Sequence, residues 1–117
     1  MELPRDATLL RIFIGENDLY QGESLFKVIV LRAREQHLAG ATVFRGPMGF
    51  GKSSHIDKNA VLRLSFDSPI VIEIVDTEEK IHSFLPAVEA VIGPGLITIE
   101  RVQAISIKGT TIKPDIG

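Results

Sequence analysis

Gly46-Pro47-Met48-Gly49-Phe50-Gly51-Lys52-Ser53 satisfies, letter for letter, the phosphate-binding pattern G-x-x-x-x-G-K-S. Its chemistry would be the cradling of a nucleoside triphosphate. Glycines let successive backbone N–H groups face a phosphate, the lysine adds charge and the serine a metal ligand. Residues 71–76 (VIEIVD) resemble the apolar strand whose terminal aspartate would hold that metal. The surroundings argue otherwise. A triphosphatase needs a strong helix opening at Lys52, but Ser53-Ser54-His55-Ile56-Asp57-Lys58-Asn59 is a weak helix former. Too few residues follow Gly46 to build a parallel sheet with crossover helices.

Other candidates fare no better as catalysts. His55 and Asp57 are two apart and would share a side of a strand, but they read as exposed polar loop residues. His37 and His82 fall at polar-face positions of helices. Asp76, Glu78 and Glu79 are placed in the first turn of a helix, where the helix dipole favours negative charge. No Ser–His–Asp order and no metal-ligand spacing is present, so no catalytic residue and no metal site is assigned. Charge is uneven, however. Residues 45–63 carry Arg45, Lys52, Lys58 and Arg63 against Asp57, a net +3, while the rest of the chain sums to −5. That reads either as a solvated loop with scattered charge or, favoured by three glycines in the same stretch, as an anion-collecting or target-docking surface.

The elements that must position these residues follow from hydrophobic periodicity. Residues 9–14 (LLRIFI) form a strand, and Gly15-Glu16-Asn17-Asp18 a loop. Residues 24–38 carry Phe26, Ile29, Val30 and Ala33 at helical spacing, with Gly40 at C′. Residues 41–45 form a strand, and 46–59 a long exposed loop. In 62–66 Leu62, Leu64 and Phe66 alternate with polar residues, and 70–75 (IVIEIV) is an apolar strand. Thr77 caps a helix with the stripe Ile81, Phe84, Leu85 and Val88, in which Pro86 predicts a kink. Gly93-Pro94-Gly95 ends it. Residues 96–107 supply the last strand, and the slip in alternation between Ile99 and Val102 predicts a bulge near Glu100.

The order is therefore β-α-β, long loop, β-α-β. That is an α+β, ferredoxin-like (βαββαβ) sandwich, with two helices on one face of a four-stranded antiparallel sheet. Both faces of the 70–75 strand are apolar, since Val71, Glu73 and Val75 alternate with Ile70, Ile72 and Ile74. Two helices cannot cover both, so self-association through the second face is expected.

Leu38-Ala39-Gly40-Ala41-Thr42-Val43-Phe44-Arg45-Gly46, followed by Gly49-Phe50-Gly51-Lys52 and His55, resembles the PII signalling proteins. There a G-x-T-V strand runs into a G-F-G-[RK] opening of the long T-loop. Arg101-Val102-Gln103-Ala104-Ile105-Ser106-Ile107-Lys108-Gly109 is similar to the last PII strand. The chain looks closest to the PII-like group catalogued as domain of unknown function 190. The resemblance implies one PII-like domain over 1–117, with a T-loop-like segment at 46–62, assembled as a homotrimer. It implies effector sites in clefts between subunits, taking a small anion, above all an adenine nucleotide such as AMP, ADP or ATP. The effector-binding residues it implies are Thr42, Gly49, Phe50, Gly51, Lys52, Gly93, Gly95 and Lys108. Arg45, Lys58 and Arg63 would dock the loop on a target protein such as a membrane transporter or an enzyme.

The departures from the PII pattern are informative. Ile92-Gly93-Pro94-Gly95-Leu96 replaces the T-G-x-x-G-D-G-K loop, with Leu96 at the lysine. The two arginines of the last strand become Ser106 and Lys108, so, counting Leu96, two of three cationic charges are lost. The tyrosine that PII proteins can carry on the T-loop is missing, since Tyr20 lies elsewhere. A triphosphate should therefore gain little over a nucleotide with fewer phosphates. The alternatives from other classes are a phosphate-loop hydrolase using residues 46–53, and a ligand-free structural or divalent-metal-responsive trimer.

Composition bounds all three. The chain has 117 residues, 44% apolar and 24% charged, which fits one domain and excludes a low-complexity chain. With no Cys there is no disulfide, thiolate metal site or cysteine nucleophile. A net charge of −2 gives no overall pull toward nucleic acid. The opening MELPRDATLL lacks a basic segment followed by an apolar run, so a cytoplasmic protein is expected.

Overall fold

The computed structural model describes residues 3–49 and 68–107. Strand β1 (Asp6–Gly15) is followed by two short strands, β2 (Leu19–Tyr20) and β3 (Glu23–Ser24). Helix α1 (Leu25–Glu35) leads to strand β4 (Thr42–Arg45). Strand β5 (Pro69–Asp76), helix α2 (Glu78–Glu89) and strand β6 (Leu96–Gln103) complete the described chain. The main sheet has the order β4-β5-β1-β6, with every neighbouring pair antiparallel. This is the expected ferredoxin-like α+β arrangement.

Period-2 alternation sorts the strands cleanly. Leu10, Ile12 and Ile14 of β1 and Ile70, Ile72 and Ile74 of β5 are buried. They form one core with Leu25, Ile29 and Ala33 of α1 and Ile81, Phe84 and Val88 of α2. Burying such side chains is worth about 1.5–3 kcal/mol each, so this seam holds both helices on one face. On the other face, cross-strand register sets Leu96, Phe13, Val71 and Phe44 in one row. Thr98, Arg11, Glu73 and Thr42 make the next, and Glu100, Leu9 and Val75 the third. No described helix covers these rows.

Three sequence expectations about the elements need correction. First, α1 does not run to Leu38 and Gly40 is not its C′ residue. His37 takes that place, with φ 59°. The Leu38 N–H donates to the Ala33 carbonyl (3.1 Å) and the His37 N–H to that of Arg34 (3.1 Å), a Schellman closure. His37 is thus off the helix.

Second, β6 carries no bulge near Glu100, because its register with β1 is uniform from Phe13↔Leu96 to Asp6↔Gln103. The alternation slips because Arg101 and Gln103 line a cleft beside Glu78, where the edge strand needs no apolar cover. Third, β6 stops at Gln103 instead of reaching 107. β1 begins at Asp6, so past the Ala104 N–H bond to the Arg5 carbonyl (2.7 Å) there is no strand to pair with.

The stretch after the first loop, unassigned from sequence, is a hairpin. Gln21 (φ 49°) and Gly22 (φ 83°) are both left-handed, as a type I′ turn requires. Helix α2 runs without interruption through Pro86, and Thr77 caps it as expected, its hydroxyl accepting from the Lys80 N–H (3.2 Å).

Candidate effector-binding site

The foot of the glycine-rich segment is built by close backbone approach. Where β4 ends, the Gly46 N–H donates to the Pro69 carbonyl (2.8 Å). A Cβ on Gly46 would lie 2.7 Å from the Pro69 ring, and one on Gly49 3.2 Å from it. Both glycines are therefore accounted for by Pro69, before any phosphate is considered. Glu16 joins both strands of the foot. Its N–H donates to the Ser68 carbonyl (2.8 Å), and its carboxylate pairs with the Arg45 guanidinium. Arg45, expected to face a partner, keeps an exposed side chain while holding this contact.

Thr42 opens β4 opposite Glu73, exposed on the face that the helices leave uncovered. Gly93 and Gly95 lie in the α2–β6 connection. A Cβ on Gly95 would meet the Phe13 carbonyl oxygen at 3.0 Å, so the loop hugs β1 only because that residue is glycine. Nothing crowds Gly93. Phe50, Gly51, Lys52, Lys58, Arg63 and Lys108 lie outside the described residues, as do Ser53, His55, Asp57 and the 62–66 alternation.

The described members of the site fall into two groups. Gly46 and Gly49 follow edge strand β4, whereas Gly93 and Gly95 precede edge strand β6. Both groups lie at the end of the sheet where Gly15 pairs with Pro69 and Phe13 with Leu96. Three strand spacings separate the edges, about 14 Å at the usual 4.7–4.9 Å each. Within one chain the two groups do not meet.

Two charged features were missed or misplaced in the sequence reading. Asp76 sits at the end of β5, not in a helix turn, and is fully buried. Its carboxylate accepts from the Ala39 N–H (2.8 Å) and the Thr77 N–H (2.7 Å), tying the start of the G-x-T-V segment to the start of α2. The signal was there, since an aspartate ending an apolar strand just before a capping threonine must find backbone donors.

Arg11 is the other. It lies on the uncovered face and bridges Glu73 (2.8 Å) and Glu100 (3.1 Å). Its hydrogen bond to Glu73 raises the guanidinium above its ordinary value, desolvation opposes this, and the charge of both carboxylates adds to it.

A separate cleft of about 540 Å³ opens at the far end of the sheet, lined by Asp6, Thr8, Glu78, Arg101 and Gln103 among others. None of the described residues among the expected effector set lines it. Among the described residues no cluster of three acidic or histidine side chains could hold a metal ion. No described helix is long and apolar enough to cross a membrane.

Residues 7–104 match the model of the DUF190 family, described as Uncharacterized ACR, COG1993. A UPF0166 protein of Aquifex aeolicus is 43% identical over 97 residues, covering 83% of this chain and 91% of its own length. One of Methanocaldococcus jannaschii is 37% identical over 94 residues, covering 80% and 86%. Among solved structures, CPII of Thiomonas intermedia K12 bound to ADP, AMP and acetate superposes with a TM-score of 0.57 at 18% identity, over 86% of this chain and 90% of that one. The same protein bound to ADP and bicarbonate gives 0.54 at 17%, over 85% and 88%. At these identities the likeness is one of fold.

Proposed function

The chain belongs to the DUF190 family, and from that premise we propose that it is a PII-like regulator that binds an adenine nucleotide between copies of itself. One observation carries the reading. Gly46 and Gly49 stand at one edge of the sheet and Gly93 and Gly95 at the other, at the same end. A site using both groups must be assembled from two chains. The ligands in CPII, which shares the fold, support the choice of an adenine nucleotide.

In this reading the whole chain, 1–117, is one PII-like domain and a homotrimer packed through the uncovered sheet face. Thr42, Gly49, Phe50, Gly51 and Lys52 of one copy receive the nucleotide, with Gly93, Gly95 and Lys108 of the next. The T-loop-like segment 46–62 acts on a target protein such as a transporter or an enzyme, through Arg45, Lys58 and Arg63, in the cytoplasm. It is not an enzyme. The antiparallel sheet, with β4 at its edge, argues against a phosphate-loop hydrolase, whose motif follows a strand of a parallel sheet.

The departures from the PII pattern set the specificity. Leu96 and Ser106 stand where cations would meet further phosphates, so each added phosphate gains little. Calorimetry should find ATP bound no more than about tenfold tighter than AMP, roughly 1.4 kcal/mol. Lys52→Ala should weaken every nucleotide that binds, by an amount that shrinks as salt rises. A thousandfold preference for ATP with Lys52→Ala silent would put the phosphates elsewhere.

A further inference from the structure

The uncovered sheet face is apolar except for one band of charge through its middle. Arg11 on central strand β1 holds Glu73 of neighbouring β5, directly across the register, through Nε at 2.8 Å. Its second contact differs. Nη1 reaches diagonally to Glu100 on edge strand β6, at 3.1 Å, and the Glu100 side chain is 57% exposed. Thr98 and Thr42 flank the pair in the same row, and the row of Leu96, Phe13, Val71 and Phe44 lies beside it. Phe44 and Leu96, at the two edges, are 50% and 57% exposed.

A face of this kind is self-complementary, since it offers cation, carboxylates and apolar rows together. A second copy of this chain is therefore the occupant it fits. Covering it removes water from a guanidinium and two carboxylates, and each must then keep a charged partner. Glu73 is secured by its own cross-strand pair. Glu100 is the carboxylate that can leave, being on an edge strand, more exposed and held by the longer bond.

We propose that Arg11 is shared between copies, keeping Glu73 of its own chain while exchanging its own Glu100 for the Glu100 of the neighbouring copy. The exchange sets the register in which the faces meet, because a shift along the strands would leave a carboxylate against the Leu96–Phe44 row. The proposal rests on the assembly stated above, and it adds which ion pairs hold that assembly in place.

The chain contains no cysteine, so pairwise cysteine trapping reads the contact directly. Arg11→Cys and Glu100→Cys proteins are mixed, allowed to exchange subunits and oxidised. A covalent dimer joined between positions 11 and 100, identified by peptide mass, is the result expected. The double variant Arg11→Cys/Glu100→Cys should likewise give covalent species larger than one chain, not an internal loop. As a measurement on an otherwise intact face, Glu100→Gln should weaken self-association at least fivefold with an unchanged circular-dichroism spectrum. Mixed cysteine proteins that assemble as the wild type does yet never cross-link, a double variant that closes only within one chain, or a Glu100→Gln protein that associates as tightly as the wild type each overturn the exchange and leave the assembly standing. A monomeric wild type overturns both.

Discussion

Asp76 illustrates how much one residue can organise without touching a ligand. Its buried carboxylate takes two backbone N–H groups from segments that otherwise only pass each other, at Ala39 and Thr77. Hydrogen bonds to a charged acceptor are worth about 1.5–3 kcal/mol each, and removing the acceptor strands the donors. Asp76→Ala should therefore lower unfolding stability by about 2 kcal/mol in a denaturant titration, and an unchanged midpoint would show the tie to be idle. Arg11 behaves differently. Its value is raised, so what it contributes is fully present below the unfolded-state value and is lost only as pH climbs past the folded one. That window lies above the ordinary arginine range, so Arg11 acts as a fixed positive charge throughout the range in which the protein would be handled.

At the scale of elements, the end of α1 is closed by a non-glycine residue in the left-handed region, which few residues bearing a Cβ adopt. His37 holds φ 59°, and its carbonyl accepts from the Lys80 side chain (2.8 Å), bridging α1 to α2. A left-handed residue bearing a Cβ costs about 1–2 kcal/mol, of which glycine returns part through its own larger entropy loss. The carbonyl contact uses only backbone of residue 37, so His37→Gly keeps it. The variant should be about 0.5–1 kcal/mol more stable, read as a higher denaturant midpoint. A drop would mean that the imidazole itself supports the closure. The sequence could not assign this role, because Gly40 offered the more familiar cap three residues later and nothing local distinguishes the two.

The whole molecule is decided by a face. One side of the sheet is packed under α1 and α2, while the other presents Phe44 and Leu96 at opposite edges of a single apolar row. Monomers rarely leave such rows contiguous and wet. Light scattering at micromolar concentration should return the mass of three chains. Phe44→Glu should return one, because it drives a charge into that row with no partner to meet it. A variant that stays assembled would move the interface to another surface. The proposed effector residues belong to this scale too, since their two groups lie at opposite edges of the sheet and would converge only where an edge of one copy meets the opposite edge of another.

Periodicity alone determined the order of the six principal elements, the buried stripes Ile29–Ala33 and Ile81–Phe84–Val88, and the apolar character of both faces of β5. These depend on local spacing, and local spacing is written in the chain. The Thr77 cap is local in the same way. Tertiary structure decided the rest. That Gly46, Gly49 and Gly95 lie close against a neighbour depended on how near Pro69 and the Phe13 carbonyl come, residues 20 to 82 positions away in sequence. The straight register of β6 depended on its pairing with β1, and the Arg11 bridge on three strands lying side by side. Each of these is a contact between segments remote in sequence, set by packing against a common core rather than by any preference of the residues themselves.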